Sequence, residues 1–541
     1  MRGTVVRLGL ATLVLHLVLI QPNHPAAMAW DALLLFPLEL PVILCALVAG
    51  GPGRVSVWLR AALVAVLMLV ALLKAADYAM FTAFGRGFNP VADLPLIEAG
   101  MRLAIGAAGL GLAVLGAVSA VMAAVAVAAA LWWATGVWAR VGRSRGQAGV
   151  AGAAAVLLAG VAVADVGQNM GRFDLPAKVP GAAFTARVGV ERVEKTRATL
   201  ADLRAFATAA AEDPYADRAG LLNLIARDVI VVFVESYGRT SLDTPLYADT
   251  HRPTLARAEA RLDALGLAMR SGLLQAPTRG GQSWLSHATF ANGLWIDNQT
   301  SYGAALASGR MTLFHLARAA GFHTAAVMPQ ITLDWPESSV MGFDTILAAA
   351  DLGYRGQPFN WVTMPDQFTF AAMDRLIFGA ASDRPRFVQM ALGTSHAPWV
   401  PVPELVDWES IGDGTIFDPM AAAGDPPAEV WRDPDRVRAQ YRKAIDYALS
   451  VVFDYAARRA ADPPLMIVLG DHQAAEFVAQ DSRPDVPIHV IGPEALVRRV
   501  ADLGWSPGLL PEPDVTPIRM DRMRDLILET FSGQADGEGG S

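Results

Sequence analysis

Val229-Ile230-Val231-Val232-Phe233-Val234-Glu235 is an almost unbroken β-branched and apolar run that closes on a carboxylate. A second run, Leu465-Met466-Ile467-Val468-Leu469-Gly470, closes on Asp471-His472. Strands that face water on one side alternate apolar with polar residues. Runs without that alternation suit strands buried on both faces, as in a parallel sheet covered by helices. Open α/β sheets bind ligands beyond the carboxyl ends of their strands. Two such ends, one carrying Glu235 and the other Asp471 and His472, would supply three ligands to one divalent metal ion.

Around these runs, strand and helix patterns alternate. Strands are predicted at 229–235, 267–273, 323–328, 387–393, 465–469 and 486–491, and helices at 254–265, 284–292, 312–320, 365–378 and 437–459. This alternation argues for an α/β domain with a mostly parallel central sheet. A Gly-rich turn, Arg279-Gly280-Gly281-Gln282-Ser283-Trp284, leads into one of the helices. Such turns expose backbone N–H groups where anionic oxygens are favoured. Ser283 is therefore the predicted nucleophile, activated by metal coordination that lowers its pKa. Ser286 and Thr289 on the same helix are rivals, and a helix N-cap serine is the structural alternative.

The half of the chain before this domain has a different composition. Of the 541 residues 53% are hydrophobic, and the mean hydropathy is +0.34. The apolar excess lies before about Gly167. Five segments, 5–20, 32–49, 61–81, 103–133 and 148–166, approach the roughly 20 residues that a bilayer core requires. The fourth is long enough to tilt or to break at one of its glycines. Arg2 and Arg7 precede the first span, Arg54 and Arg60 lie between the second and third, and Arg140, Arg143 and Arg145 lie between the fourth and fifth. The intervening loops hold Arg86, Asp93 and Glu98. The positive-inside rule then places the amino terminus in the cytoplasm and everything after Gly167 outside a bacterial-type plasma (inner) membrane. Lys74 and Asp77, near the outer end of the third span, read as a snorkelling cation and an interfacial acid, or as contacts to a lipid headgroup.

The expected organisation is a transmembrane domain at 1–167, a connector with an amphipathic helix over 190–211 at 168–226, an extracytoplasmic domain at 227–532 and a disordered tail at 533–541. The net charge of −8 excludes an electrostatically driven nucleic-acid partner. Cys45 is the sole cysteine, which rules out an internal disulfide and a thiolate metal site.

Four motifs in order, Val-Val-Phe-Val-Glu-Ser-Tyr, Gly-Gly-Gln-Ser, Thr-Ser-His-Ala-Pro-Trp and Leu-Gly-Asp-His, resemble the alkaline phosphatase/sulfatase superfamily. The resemblance is to its membrane branch similar to lipoteichoic acid synthase and phosphoglycerol transferase, which joins about five spans to an outer catalytic domain. It implies that Glu235, Ser283, Asp471 and His472 bind one divalent ion, manganese first, with magnesium or zinc as alternatives. It implies that His396 contacts substrate and takes part in catalysis. Asp334 and Trp335 resemble the branch's Trp-bearing substrate loop, and Arg279 is grouped with them as substrate-binding. Formylglycine chemistry is disfavoured, because the nearest likeness to its motif, Gln275-Ala276-Pro277-Thr278-Arg279, has Gln at the converted position.

The implied activity is transfer of a phospho-headgroup, phosphoglycerol from phosphatidylglycerol, through Ser283 to a glycan or other hydroxyl acceptor. The alternatives are a membrane-anchored phosphodiesterase or sulfatase-like hydrolase, a phosphoethanolamine transferase, and a non-catalytic lipid-binding scaffold.

Overall fold

A computed structural model describes residues 2–94, 96–142, 144–174 and 180–533. Arg143, Pro176 and all of the expected tail except Gly533 lie outside the described residues. The chain divides into two compact units, 1–202 and 203–541. The boundary falls inside the predicted connector helix.

The first unit is helical: α1 (Arg2–Ile20), α2 (Glu39–Gly50), α3 (Arg54–Phe84), α4 (Leu96–Ala139), α5 (Arg145–Asn169) and α6 (Phe184–Ala211). Among the described residues four stretches are long and apolar enough to cross a membrane: Gly3–Ile20, Arg54–Phe84, Gly109–Ala139 and Arg145–Asn169. The long fourth segment is interrupted at Gly109, where φ is +81° and the helical hydrogen-bond ladder breaks. The second apolar stretch behaves differently from the expectation of a full span. It forms a 3₁₀ turn, Trp30–Leu34, and then only the 12 residues of α2. At 1.5 Å per residue α2 covers about 18 Å of a core about 30 Å thick. Pro37, before the helix, cannot donate a helical hydrogen bond and delays its start.

Lys74 and Asp77 are neither snorkelling nor interfacial. Lys74 is fully buried, and its Nζ donates to the Leu19 carbonyl at 2.9 Å and to Thr185 Oγ1 at 2.8 Å. Asp77 accepts from Arg192 Nη2 at 2.6 Å and from the Phe88 N–H at 2.8 Å. Both charges tie the start of α6 to α3. A headgroup would have to displace these partners.

The second unit is built on a nine-stranded sheet ordered β4-β3-β5-β1-β6-β7-β2-β8, with β9 on β2. The strands are β1 (Val229–Val234), β2 (Ala268–Gln275), β3 (His323–Met328), β4 (Thr345–Ala348), β5 (Arg386–Ala391), β6 (Leu465–Gly470), β7 (Asp485–Gly492), β8 (Ser506–Pro507) and β9 (Ile518–Arg519). β4, β3, β5, β1 and β6 are mutually parallel, while β7 runs against β6 and β2 against β7. Ile230, Val232 and Val234 pack into one core with Met466 and Val468. Val229, Val231 and Phe233 pack into another with Ile467 and Leu469. Both faces of β1 and β6 are therefore covered, which is why neither run alternates. Each fully buried Val, Ile or Leu contributes roughly 1.5–3 kcal/mol.

Candidate active site

Register decides where the functional residues meet. Val234 pairs with Gly470 in the parallel β1–β6 ladder, so the next residues, Glu235 and Asp471, emerge side by side at the carboxyl edge. On the other flank of β1, Phe233 pairs with Ala391 of β5, so the turn carrying His396 leaves the same edge. Gly470 is required there, because a Cβ on it would lie 1.9 Å from the Tyr237 carbonyl oxygen.

Ser283 enters from a different element. Gly280, Gly281 and Gln282 have φ of +71°, +138° and +67°, a tight left-handed turn that starts the helix Ser283–Asn292. This turn is fastened to the Asp471–His472 loop: the Gly280 N–H donates to the Gln473 carbonyl at 2.8 Å, and Arg279 bridges to Gln473. Ser283 Oγ donates to Glu235 Oε2 at 2.9 Å and lies 3.2 Å from His472 Nε2. The N-cap position belongs to Gln282, so Ser283 is not the capping residue. The rivals are engaged elsewhere: Ser286 bonds to Thr278 Oγ1 at 3.2 Å, and Thr289 accepts from the Ile296 N–H at 3.0 Å.

Glu235, Asp471 and His472 are all buried, and each offers a ligand atom within 4.8 Å of the others. His472 Nε2 lies 3.3 Å from Glu235 Oε1. Its Nδ1–H donates to the Gln473 carbonyl at 3.1 Å, which leaves Nε2 as the ring nitrogen facing Glu235 and Ser283. Burial pushes the Asp471 carboxyl up, and the neighbouring Glu235 charge pushes it further, to about 8. Burial disfavours the His472 cation, but Asp471 and Glu235 outweigh it and raise His472 to about 9. For Glu235 burial acts upward, yet His472 beside it wins and holds the carboxyl well below the usual range. Two carboxylates, an imidazole and a hydroxyl packed this closely repel or compete for protons unless a cation sits among them. This mixed oxygen and nitrogen set fits a divalent ion such as manganese, magnesium or zinc.

His396 is half-buried in the turn after β5, and its Nδ1–H donates to the Ala397 carbonyl at 2.6 Å. It is near enough to Glu235 for its charge to favour the ionised carboxylate. The other expected substrate residues are not brought into the cluster. Arg279 donates to the Ser482 carbonyl. Asp334 is exposed, and Trp335 is half-buried at the head of the 3₁₀ turn Pro336–Val340. Among the described residues none of these three bonds to Glu235, Ser283, Asp471 or His472.

Several supporting residues went unassigned in the sequence reading. Ser236, in the left-handed conformation with φ +58°, donates its N–H to Asp471 Oδ1 at 2.8 Å and its Oγ–H to Glu235 Oε1 at 2.9 Å. Ser395 Oγ donates to the Glu235 carbonyl at 2.7 Å, which fixes the His396 turn to the end of β1. Asp366 accepts the Gly393 and Thr394 N–H groups at 2.8 and 2.9 Å from beneath that turn. Ser236 and Ser395 adjoin motif residues, which was the one available signal. Asp366 gave none.

Residues 227–480 match the family model described as Sulfatase. The match spans the strand-and-helix region from just before β1 to just beyond Asp471 and His472.

The chain is also similar to solved structures. The lipoteichoic acid synthase LtaP from Listeria monocytogenes is 12% identical, with 61% of this chain and 78% of that one covered at a TM-score of 0.37. The Streptococcus pyogenes phosphoglycerol transferase GacH is 13% identical, with 62% and 82% covered at 0.37. The lipooligosaccharide phosphoethanolamine transferase A from Neisseria meningitidis is 12% identical, with 86% and 83% covered at 0.44. No curated protein matches the chain.

Proposed function

We propose that this protein is a membrane-embedded phosphotransferase that moves a phospho-headgroup from a phospholipid, phosphatidylglycerol first, to a hydroxyl acceptor through a covalent Ser283 intermediate. The observation that carries this reading is the placement of Ser283 Oγ within hydrogen-bond reach of both Glu235 and His472, inside a buried metal-ligand set. Glu235, Asp471, His472 and Ser283 would hold one divalent ion, manganese first. When bound, such an ion neutralises phosphoryl charge and lowers the serine pKa.

The remaining work falls to the chain. Ser283 Oγ, its proton lost to solvent, forms a bond to phosphorus, and the bond from phosphorus to the diacylglycerol oxygen breaks. His396 gives that leaving oxygen a proton. In the second half the acceptor hydroxyl returns a proton to His396 and bonds to phosphorus, the Ser283 Oγ–P bond breaks, and Ser283 Oγ takes a proton back from solvent. The turn Gly280–Gln282 and the Ser236 and Ser395 hydrogen bonds keep these groups fixed throughout.

The Arg distribution places the domain outside the plasma membrane. α1 and α3 both begin on the Arg-bearing side, so the stretch from Trp30 to Gly50 makes the return crossing. Within this stretch Leu40, Ile43 and Leu47 of α2 are buried in the helical unit, while Trp30 and Leu34 of the 3₁₀ turn are exposed.

Incubating purified protein with manganese and phospholipids bearing labelled headgroups tests the proposal. Release of diacylglycerol and labelling of wild type but not Ser283→Ala are expected. Diacylglycerol release unaffected by Ser283→Ala would refute it. Water in place of the acceptor gives the hydrolase reading.

A further inference from the structure

We infer that the cleft beside the His396 turn is a saccharide subsite, with Trp361 and Trp431 as its stacking platforms. This rests on the transfer reading above and names its acceptor class. The cleft has a volume of about 330 Å³ and is lined by Asn360, Trp361, Ala397, Pro398, Pro427 and Trp431, among others. Ala397 and Pro398 directly follow His396, so whatever fills the cleft lies against the turn that faces Glu235.

Of the two indoles, Trp431 is held by several contacts, among them the edge of Phe477 with ring centroids 6.2 Å apart. Trp431 donates its Nε1–H to the Pro398 carbonyl at 3.2 Å and lies parallel to Trp399, with centroids 5.7 Å apart and planes 8° apart. Trp399 donates in turn to the Ser395 carbonyl at 2.6 Å. The platform is thereby braced to the residue that binds the end of β1. Trp361 sits on a two-residue turn closed by Phe359 and Val362, both buried. Even so, 50% of Trp361 and 42% of Trp431 remain exposed. At Trp431 a braced, solvent-open aromatic face with its N–H bonded to the Pro398 carbonyl matches the C–H face of a pyranose, whose partial positive charge complements the ring.

An anionic leaflet is the other surface that exposed tryptophans serve, and the charges here disfavour it. Asp425, Glu429, Asp433 and Asp435 are exposed around Trp431; Arg436 is paired with Asp425 and Glu429 and Arg438 with Asp435, and the exposed Arg432 has no ion pair among the described residues. One such cation among four carboxylates is not the basic cluster that meets lipid phosphate. The cleft is also neutral, so it does not suit the phospho-headgroup itself. In the transfer, a saccharide hydroxyl held here would bond to phosphorus as the Ser283 Oγ–P bond breaks and its proton passes to His396.

The test uses the full chain in a non-glycosidic detergent. With Ser283→Ala, which blocks turnover, maltotriose and cellotriose are titrated by tryptophan fluorescence and calorimetry. Saturable binding that weakens at least tenfold in Trp361→Ala, and is largely restored by Trp361→Phe, is expected. No binding of either saccharide, or binding indifferent to Trp361→Ala, overturns the subsite whatever the fate of the transfer reaction. Binding to vesicles of phosphatidylglycerol that is lost in Trp361→Ala, with saccharide binding unchanged, assigns the cleft to the membrane instead. With Ser283 intact and a labelled donor, Trp361→Ala and Trp431→Ala are expected to shift product partition at least tenfold from saccharide toward water. An unchanged partition counts against the subsite, while loss of all Ser283-dependent turnover in wild type would strike the transfer reading and leave the binding result standing.

Discussion

The two units each bury charge, but they treat it in opposite ways. In the helical unit Asp77 pairs with Arg192, and the Lys74 ammonium donates to the Leu19 carbonyl and the Thr185 hydroxyl, so each charge has partners within the protein. At the carboxyl edge of the sheet, Glu235 and Asp471 share a buried site with one imidazole and a hydroxyl. The first arrangement is finished by folding; the second has the ligand atoms that a cation would complete. Buried charge that is internally paired reads as structure, and buried charge of one predominant sign around a nucleophile reads as chemistry.

The largest effect that sharpens this contrast is on turnover. Ser283→Ala or Glu235→Ala should lower headgroup transfer by about a thousandfold or more, with circular dichroism unchanged. The reverse pattern is expected in the helical unit. Asp77→Ala strands Arg192 in a buried setting and should cost about 3–5 kcal/mol, read as a lower melting temperature and weaker expression. If Asp77→Ala instead left stability intact, the contrast would fail.

Metal removal gives the next effect. Chelation should destabilise the outer domain and restored manganese should recover it, by about 2.7 kcal/mol at a hundredfold excess over Kd. Asp471→Asn should blunt that response. Calorimetry on the full chain follows both.

Smaller effects come from protonation away from the cluster. His489 is held neutral: Ser271 Oγ and Tyr237 Oη meet its two ring nitrogens at 2.7 and 3.1 Å, and burial pulls it down to about 3. A depressed histidine favours the folded state above its ordinary value of about 6.5. That contribution is lost as pH falls from there toward 3, at about 1.4 kcal/mol per pH unit. Urea melts at pH 7 and 5 should show the loss, and His489→Gln should flatten it. Asp366 acts with the opposite sign, because burial raises its carboxyl to about 6. Its contribution is complete below the ordinary carboxylate range and declines as pH rises through 6. Asp366→Asn should remove that decline and leave the His396 turn in place.

Much of the fold was legible because burial on both faces leaves a plain mark. The runs 229–234 and 465–470 lacked polar alternation, and their ends carried the ligands. β4 was missed because Thr345–Ala348 is four residues long and only half-buried, so nothing in its pattern separates it from a loop. The second span was overestimated because apolar composition alone does not show where a helix can start around Pro37. Glu235, Asp471 and His472 could be grouped from strand ends, whereas Ser236 and Asp366 could not. Their roles depend on which backbone groups come near in space, and no local pattern encodes that. Lys74 was misread because span depth was visible and its partner on α6, more than a hundred residues away, was not.

The hydrogen bond from the Gly280 amide to the Gln473 carbonyl makes the serine-bearing turn and the Asp471–His472 loop a single rigid body. A substrate therefore meets an anvil that is already set, and exchange of one acceptor for another in related chains would be written outside it, with the anvil left untouched.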